Sequence, residues 1–259
     1  MPYCHAYDRT PDSDTADSGT TSSKRARYAC VAIDCEETPI ACIAISRAVS
    51  RALERCELTH LPRRAIDLAL ARRQHVAYEQ ALREAGCEVR QLAEQPDYPD
   101  CVFVEDTAIV LDELAVMMSP GAESRRGEPR GIEPELSRYR EIERVSLPAT
   151  IDGGDVVRAG RHLYVGESPR TNAAGISELR RILAPYGYEV TDVPVTGCLH
   201  LKTACSALPD GRFLVNGDWI DTSPFPAGAL LPVPNSEPWA GDVLVIGNQI
   251  IASDAFPET

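Results

Sequence analysis

No apolar run in this 259-residue chain approaches the ~20 residues that a membrane-spanning helix needs. The opening stretch, MPYCHAYDRTPDSDTADSGTTSSKRARY, has no hydrophobic segment of the signal-peptide kind and is too acidic for a transit peptide, so a cytoplasmic location is expected. Excess positive charge is missing too. The formal net charge is -13 and the pI about 4.9, which argues against nucleic acid or an anionic membrane as partner and suits a protein that binds small cations. The nine cysteines, at positions 4, 30, 35, 42, 56, 87, 101, 198 and 205, include no CxxC pair and no zinc-type spacing. Reduced, buried thiols are expected rather than a metal centre. What the chain does have is 44% hydrophobic residues, ample for a real core.

Residues 1–27 are rich in Ser, Thr and Asp and nearly free of large apolar side chains, so they read as a disordered tail, with one folded domain over 28–259. From Tyr28 the pattern YACVAIDCEETPIACIAI reads as two short strands around a polar turn at Glu36–Pro39. A short helix or loop follows over 47–60. Helical spacing then runs from Ile66 to Leu82, stopped by Gly86 in the C′ position, and a strand is expected over 87–92.

The stretch DCVFVEDTAIVLDELAVMM, 100–118, reads as a β-hairpin that carries acids into a core, turning at Asp112-Glu113. A buried carboxylate costs several kcal/mol unless a cation or several donors meet it, so Glu105 and Asp106 mark either an internal ion pair or a cation site. The same grammar recurs downstream. A helix is expected at 131–139, a strand at 142–147 and a hairpin over 151–166 turning at Ala159-Gly160. A helix capped by Asn172 follows, ended by Gly187, with a strand from 188. Hairpins over 198–218 and 241–253 turn at Pro209-Asp210-Gly211 and Gly247-Asn248. Hairpin openings near 102, 156, 199 and 243 repeat every 40 to 55 residues, the mark of successive ββαβ-type modules. Closed into a ring, such modules would aim matching residues at one pocket.

The matching points hold Asp100, Glu105 and Asp106, then Asp152-Gly153-Gly154-Asp155, then His200 and Lys202, with arginines in the links at Arg125, Arg126 and Arg170. Acids that hold a cation, an imidazole that moves protons and arginines that fork a carboxylate suit a zwitterionic guanidino amino acid. Each piece alone has a plainer reading: a satisfied core histidine, a tight GlyGly turn, a solvated arginine loop.

The strings DCVFVEDTAIV (100–110), SPGAESRRGE (119–128), IDGGDVVRAG (151–160), YVGESPRTNAAG (164–175) and LHLKT (199–203) resemble the dimethylarginine dimethylaminohydrolases, of the guanidino-group-modifying pentein superfamily. They occur in the family's order, and the likeness runs from about Ser46 to the last residue. The resemblance implies a five-module ββαβ propeller with its last module incomplete, a cytoplasmic protein, no cofactor and no metal. It implies a small-molecule substrate, asymmetric dimethylarginine or monomethylarginine, hydrolysed to citrulline and an alkylamine. By resemblance Asp106 meets the guanidinium, with Glu105 near it, and Asp100 meets the α-ammonium. Arg125 and Arg170 hold the α-carboxylate, and Leu61 is the candidate lid residue. Asp152 supports the imidazole and His200 is the general acid/base. On a straight strand Asp100 and Asp106 would share a pleat face up to ~20 Å apart, with Glu105 facing away unless a bulge turns it.

A guanidinium is a poor electrophile and calls for a thiolate. In the family that cysteine lies one helix and one strand beyond the point matching the last residues here, so the nucleophile is expected beyond Thr259. Cys198 and Cys205 are nearest His200 in sequence, and Cys198 would share its pleat face in a strand. Alternatives are a non-catalytic guanidino-ligand binding protein and a relative of arginine deiminase or amidinotransferase.

Overall fold

The computed structural model describes residues 28–32, 42–59 and 62–259. The expected tail at 1–27, the Glu36–Pro39 turn and Leu61 lie outside them. In order, the elements are β1 (Tyr28–Ala32), β2 (Cys42–Arg47), α1 (Leu68–Glu84), β3 (Cys87–Leu92), β4 (Ala108–Val110), β5 (Leu114–Met117), α2 (Glu133–Leu136), β6 (Glu141–Arg144), β7 (Val156–Ala159), β8 (His162–Glu167), α3 (Ala173–Leu183), β9 (Glu189–Pro194), α4 (Leu201–Ala204), β10 (Cys205–Ala207), β11 (Phe213–Val215), β12 (Leu230–Pro232), β13 (Leu244–Ile246) and β14 (Gln249–Ser253).

One plan repeats. In each of the sheets β4-β5-β6, β7-β8-β9 and β10-β11-β12 an antiparallel hairpin is followed by a strand parallel to its second member. β2 and β3 are parallel and joined through α1, and β13-β14 is a further hairpin. The two strands expected around Glu36–Pro39 both form, but they do not pair with each other. β1 runs antiparallel to β14, while β2 takes β3.

Local signals explain most element ends. Gly160, Gly187 and Gly211 take positive φ at the turns where they were expected. The helix expected over 131–139 is reduced to α2, preceded by a 3-10 turn at Glu128–Gly131. Pro129 and Pro134 are the reason: proline fits a helix only in its first turn, so each starts a new short piece. The strand expected over 142–147 ends at Arg144, before Pro148, which cannot donate to a ladder.

The sheet β7-β8 is buried on both faces. Val156, Leu163 and Val165 point into a cluster with Leu114, Val116, Ile151 and α3 residues Leu179 and Leu183. Alternate residues Val157 and Tyr164 point into a second cluster with Leu201, Phe213 and Phe225. Tyr164 stacks on Phe225 at 4.5 Å and meets Phe213 edge-on at 5.3 Å. Leu201, wholly buried in that second cluster, anchors the residue beside it, His200.

Asn172 ties α3 to the preceding loop. Its Oδ1 accepts from Gly175 N at 2.8 Å and from Thr150 N at 3.1 Å, and its Nδ2 donates to the Pro148 carbonyl at 3.0 Å. Asn172→Ala is expected to destabilise the protein by about 1–2 kcal/mol, read as a lower urea midpoint at unchanged slope.

Candidate active site

Three short helical turns stand immediately before the first strands of three successive hairpins: Val104–Thr107 before β4, Gly153–Asp155 before β7, and α4 before β10. Val104–Thr107 and Leu201–Ala204 read as strand in the sequence, and here the structure differs, whereas Gly153-Gly154 also carried the plainer reading of a tight turn. Asp100 and Asp106 do not share a pleated face, since the chain bends at Asp100 and coils through Glu105 and Asp106. His200 caps α4 rather than lying in a strand, so Cys198 and His200 share no pleat face either. Coiling brings the turns side by side. Asp106 Oδ1 accepts from Gly154 N at 3.0 Å, Asp155 Oδ1 accepts from Leu201 N at 2.9 Å, and His200 Nε2 lies 3.2 Å from Asp152 Oδ2.

Gly153 and Gly154 make this contact possible. A Cβ on Gly153 would sit 2.0 Å from the Glu105 carbonyl oxygen. On Gly154 it would sit 2.6 Å from Asp106 Oδ1 and 2.9 Å from His200 Nδ1. Gly154→Ala is therefore expected to push Asp106 and His200 apart and weaken binding of a guanidino amino acid by 10-fold or more while far-UV circular dichroism stays unchanged. Calorimetry would check it.

Arg125 is the cation that meets the buried acids. Its Nη1 donates to Asp106 Oδ2 at 2.6 Å, its Nη2 to Glu128 Oε2 at 2.8 Å and its Nε to both Glu128 oxygens at 3.1 and 3.2 Å. Nη2 also reaches the Asp100 and Phe103 carbonyls at 3.4 Å. Burial works against its charge, but Asp106, Glu128 and Asp100 hold the guanidinium well above its ordinary range. Arg125 and Arg170 were expected to act as a pair on a ligand carboxylate, yet Arg125 is committed to protein acids. Glu128 was missed: within SRRGE it reads as solvated surface, and only the pull of Arg125 draws it in. With three acids around one cation, burial pushes Glu128 up to about 7 despite that pairing. Asp100 is raised by burial too, although Arg125 and the Glu57 N–H, 3.1 Å from Oδ2, work the other way.

Asp152 is wholly buried. Burial alone would raise it, but His200, Arg125 and the Gly121 N–H, 3.0 Å from Oδ1, together hold it below the ordinary carboxylate range. His200 shows the converse. Burial would lower it, and the acids Asp106, Asp155 and Asp152 raise it above an ordinary imidazole. Arg170 Nη1 lies 3.8 Å from Asp152 Oδ2 and is buried without a hydrogen-bond partner, while its Nη2 donates to Thr59 Oγ1 at 3.4 Å. Of the two arginines it is the one that keeps a buried guanidinium nitrogen with no hydrogen bond among the described residues. Asp106, Asp152 and His200 offer ligand atoms within 4.8 Å of one another, a spacing a cation could use, but Arg125 and Arg170 already supply positive charge beside them.

Glu105 turns away from the buried acids to pair with Lys202, and both line a cavity of about 830 Å³ between β2, β4, β7, β10 and β13. Two thiols lie near His200 in sequence, and neither is activated. Burial pushes Cys198 and Cys205 each up to about 12, and the Cys198 thiol donates to the His200 carbonyl at 3.2 Å. No helix among the described residues is long and apolar enough to cross a membrane.

Comparison with known proteins fits this geometry. A family model described as N,N dimethylarginine dimethylhydrolase, eukaryotic, matches residues 60–204, which include every acid, arginine and imidazole of the cluster. The N(G),N(G)-dimethylarginine dimethylaminohydrolase of Streptomyces coelicolor is 41% identical over 218 residues, 83% of this chain and 83% of that protein. A solved dimethylarginine dimethylaminohydrolase of Pseudomonas aeruginosa, a cysteine-to-serine mutant complexed with citrulline, superimposes with a TM-score of 0.79 at 31% identity, covering 84% of this chain and 86% of that one. An arginine dihydrolase domain from cyanobacteria, bound to product, shares the fold, with a TM-score of 0.69 at 17% identity over 77% of this chain and 78% of that one.

Proposed function

Because the chain belongs to the dimethylarginine dimethylaminohydrolase family, whose members are amidine hydrolases, we propose that its acid cluster receives asymmetric dimethylarginine or monomethylarginine for hydrolysis to citrulline and an alkylamine. The observation that carries this reading is His200 wedged between Asp152 and Asp106, with Arg170 Nη1 beside Asp152 and making no hydrogen bond. Asp106 takes the methylated guanidinium and Asp100 takes the α-ammonium, while Glu105 reaches the guanidinium only by leaving Lys202. Arg170 forks the α-carboxylate, and Arg125 joins it only by giving up an acid. Leu61 is the lid residue. The five small sheets found among the described residues support reading the fold as a five-module pentein propeller with its last module incomplete, and a cytoplasmic location is part of the same proposal.

The chemistry follows from the protonation states. A thiolate adds to the guanidinium carbon and forms a C–S bond. The imidazolium of His200, stabilised by Asp152, gives its proton to the departing methylated nitrogen as the C–N bond breaks. The neutral imidazole then takes a proton from water, whose oxygen attacks the thiouronium carbon; the C–S bond breaks and citrulline leaves. Burial holds Cys198 and Cys205 protonated, so neither is proposed as the source of the thiolate, and it is the family resemblance that suggests a cysteine beyond Thr259 for that role.

Calorimetry with dimethylarginine tests the site. Asp106→Asn is expected to abolish binding, and Arg170→Ala to weaken it by roughly 10- to 150-fold, the worth of one charge-assisted contact. Unchanged affinity in both variants would rule the site out.

A further inference from the structure

Asp155 is wholly buried, and the reading above gives it no task. Both its oxygens are used within the protein. Oδ1 accepts from Leu201 N, the amide next to His200, at 2.9 Å. Oδ2 accepts from Ser168 Oγ and from Thr171 Oγ1, each at 2.7 Å, the hydroxyls on either side of Arg170. Those hydroxyls extend the network. Ser168 Oγ accepts from Arg170 N at 3.0 Å and Thr171 N at 3.2 Å, and Thr171 Oγ1 accepts from Asp152 N at 3.2 Å. Gly166 leaves room for the carboxylate: a Cβ there would lie 2.7 Å from Asp155 Oδ1.

We propose that Asp155 is a positioning residue that holds His200, Asp152 and Arg170 in one frame, so that a single buried carboxylate sets both the proton-transfer end and the carboxylate-binding end of the site. A buried carboxylate is a costly way to accept three hydrogen bonds that an amide or a trapped water could accept in part. What the charge adds is its field at the imidazole. With Asp106 and Asp152, Asp155 is one of the acids that keep His200 protonated, although burial raises Asp155 itself. The contacts also couple the ends. A shift of Asp155 moves the Leu201 amide and the Ser168–Thr171 loop together.

The inference rests on the dimethylarginine reading only for the identity of the ligand, and the test keeps the two apart. Asp155→Asn keeps the shape and removes the charge. Its amide nitrogen, unlike the carboxylate oxygen, cannot accept from Ser168 and Thr171. In the 259-residue chain, NMR titration of the ring signals should show His200, assigned among the five histidines with His200→Gln, losing its proton at lower pH in Asp155→Asn than in the unaltered chain. By calorimetry, affinity for dimethylarginine should fall about 10-fold, and that for its decarboxylated counterpart by less than about twofold, because the loss lies at Arg170. An unchanged His200 titration together with an equal loss for both ligands, as a merely structural role predicts, would overturn the proposal. If the unaltered chain binds neither ligand, the dimethylarginine reading fails and the titration alone decides for or against Asp155. Should Asp155→Asn not fold, Ser168→Ala carries the test: a loss specific to the carboxylate ligand with His200 titrating normally supports the frame, and unchanged binding of both ligands refutes it.

Discussion

On the proposal that the nucleophile lies beyond Thr259, residues 1–259 given asymmetric dimethylarginine are expected to release no citrulline, whereas a longer chain that supplies that cysteine is expected to turn it over. His200 and Asp152 can deliver and accept protons, but they cannot attack carbon in place of a thiolate. Removing one member of a concerted catalytic unit costs nearly as much as removing all of it, so the expected difference is several orders of magnitude. The thiols closest to the imidazole in sequence give no substitute. At about 12, Cys198 and Cys205 are almost entirely protonated near neutral pH, and the Cys198 proton points at a backbone carbonyl. Cys198→Ser and Cys205→Ser should therefore leave the extended enzyme's rate within a small factor. A short chain that turns over as fast as the long one, and loses activity with either serine, would show that the nucleophile was placed wrongly.

The protein should lose stability as pH rises from about 5 to 8, opposite to the usual acid-denaturation trend. Glu128 is raised from 4.5 to about 7 in the folded state, so the folded chain binds a proton that the unfolded chain has released, and stability falls as pH climbs through that window. A shift of that size corresponds to something on the order of 3 kcal/mol. His200 acts in the same direction. Its folded value lies above the unfolded one, so its contribution is full below the unfolded value of about 6.5 and is lost as pH rises through the folded value. His75 opposes them: burial lowers it against the pull of Glu79, so folding gains as pH rises toward 6.5. Urea denaturation at pH 5, 6.5 and 8 measures the sum, and Glu128→Gln should flatten the slope. A stability that climbs with pH across this range would contradict the charge balance described around Arg125.

How much of this could be read in advance depended on whether the cause was local. The span of α1, the strand Cys87–Leu92, the Asn172 cap and the turns at Gly160 and Gly211 all rest on signals within a few residues, and they appear where those signals place them. The turns at 104–107 and 201–204 did not, because apolar alternation in FVEDT or LHLKT is indistinguishable from a strand until neighbouring turns supply the hydrogen bonds that coil it. For the same reason the convergence of Asp106, Asp152 and His200 was legible from the repeat, while the spatial relation of Asp100 to Asp106 was not. Arg125 was recognisable from its motif as an arginine that belongs with the acids, which is where the structure puts it. Its partners were not, since nothing in SRRGE marks Glu128 as the carboxylate that would follow it inside.

β1 and β14 share one sheet, with Tyr28 opposite Ser253 and Ala32 opposite Gln249. During synthesis β1 emerges early and has no partner until almost every other described strand has been made, so the sheet that joins them is completed late among the described sheets. Pairings between such distant segments are slow to find because the intervening loop must be closed first. An open backbone edge waits through that interval, exposed to pairing with other chains. The yield of folded protein should therefore depend more on how quickly the hairpin β13-β14 is delivered than on the stability of the modules between.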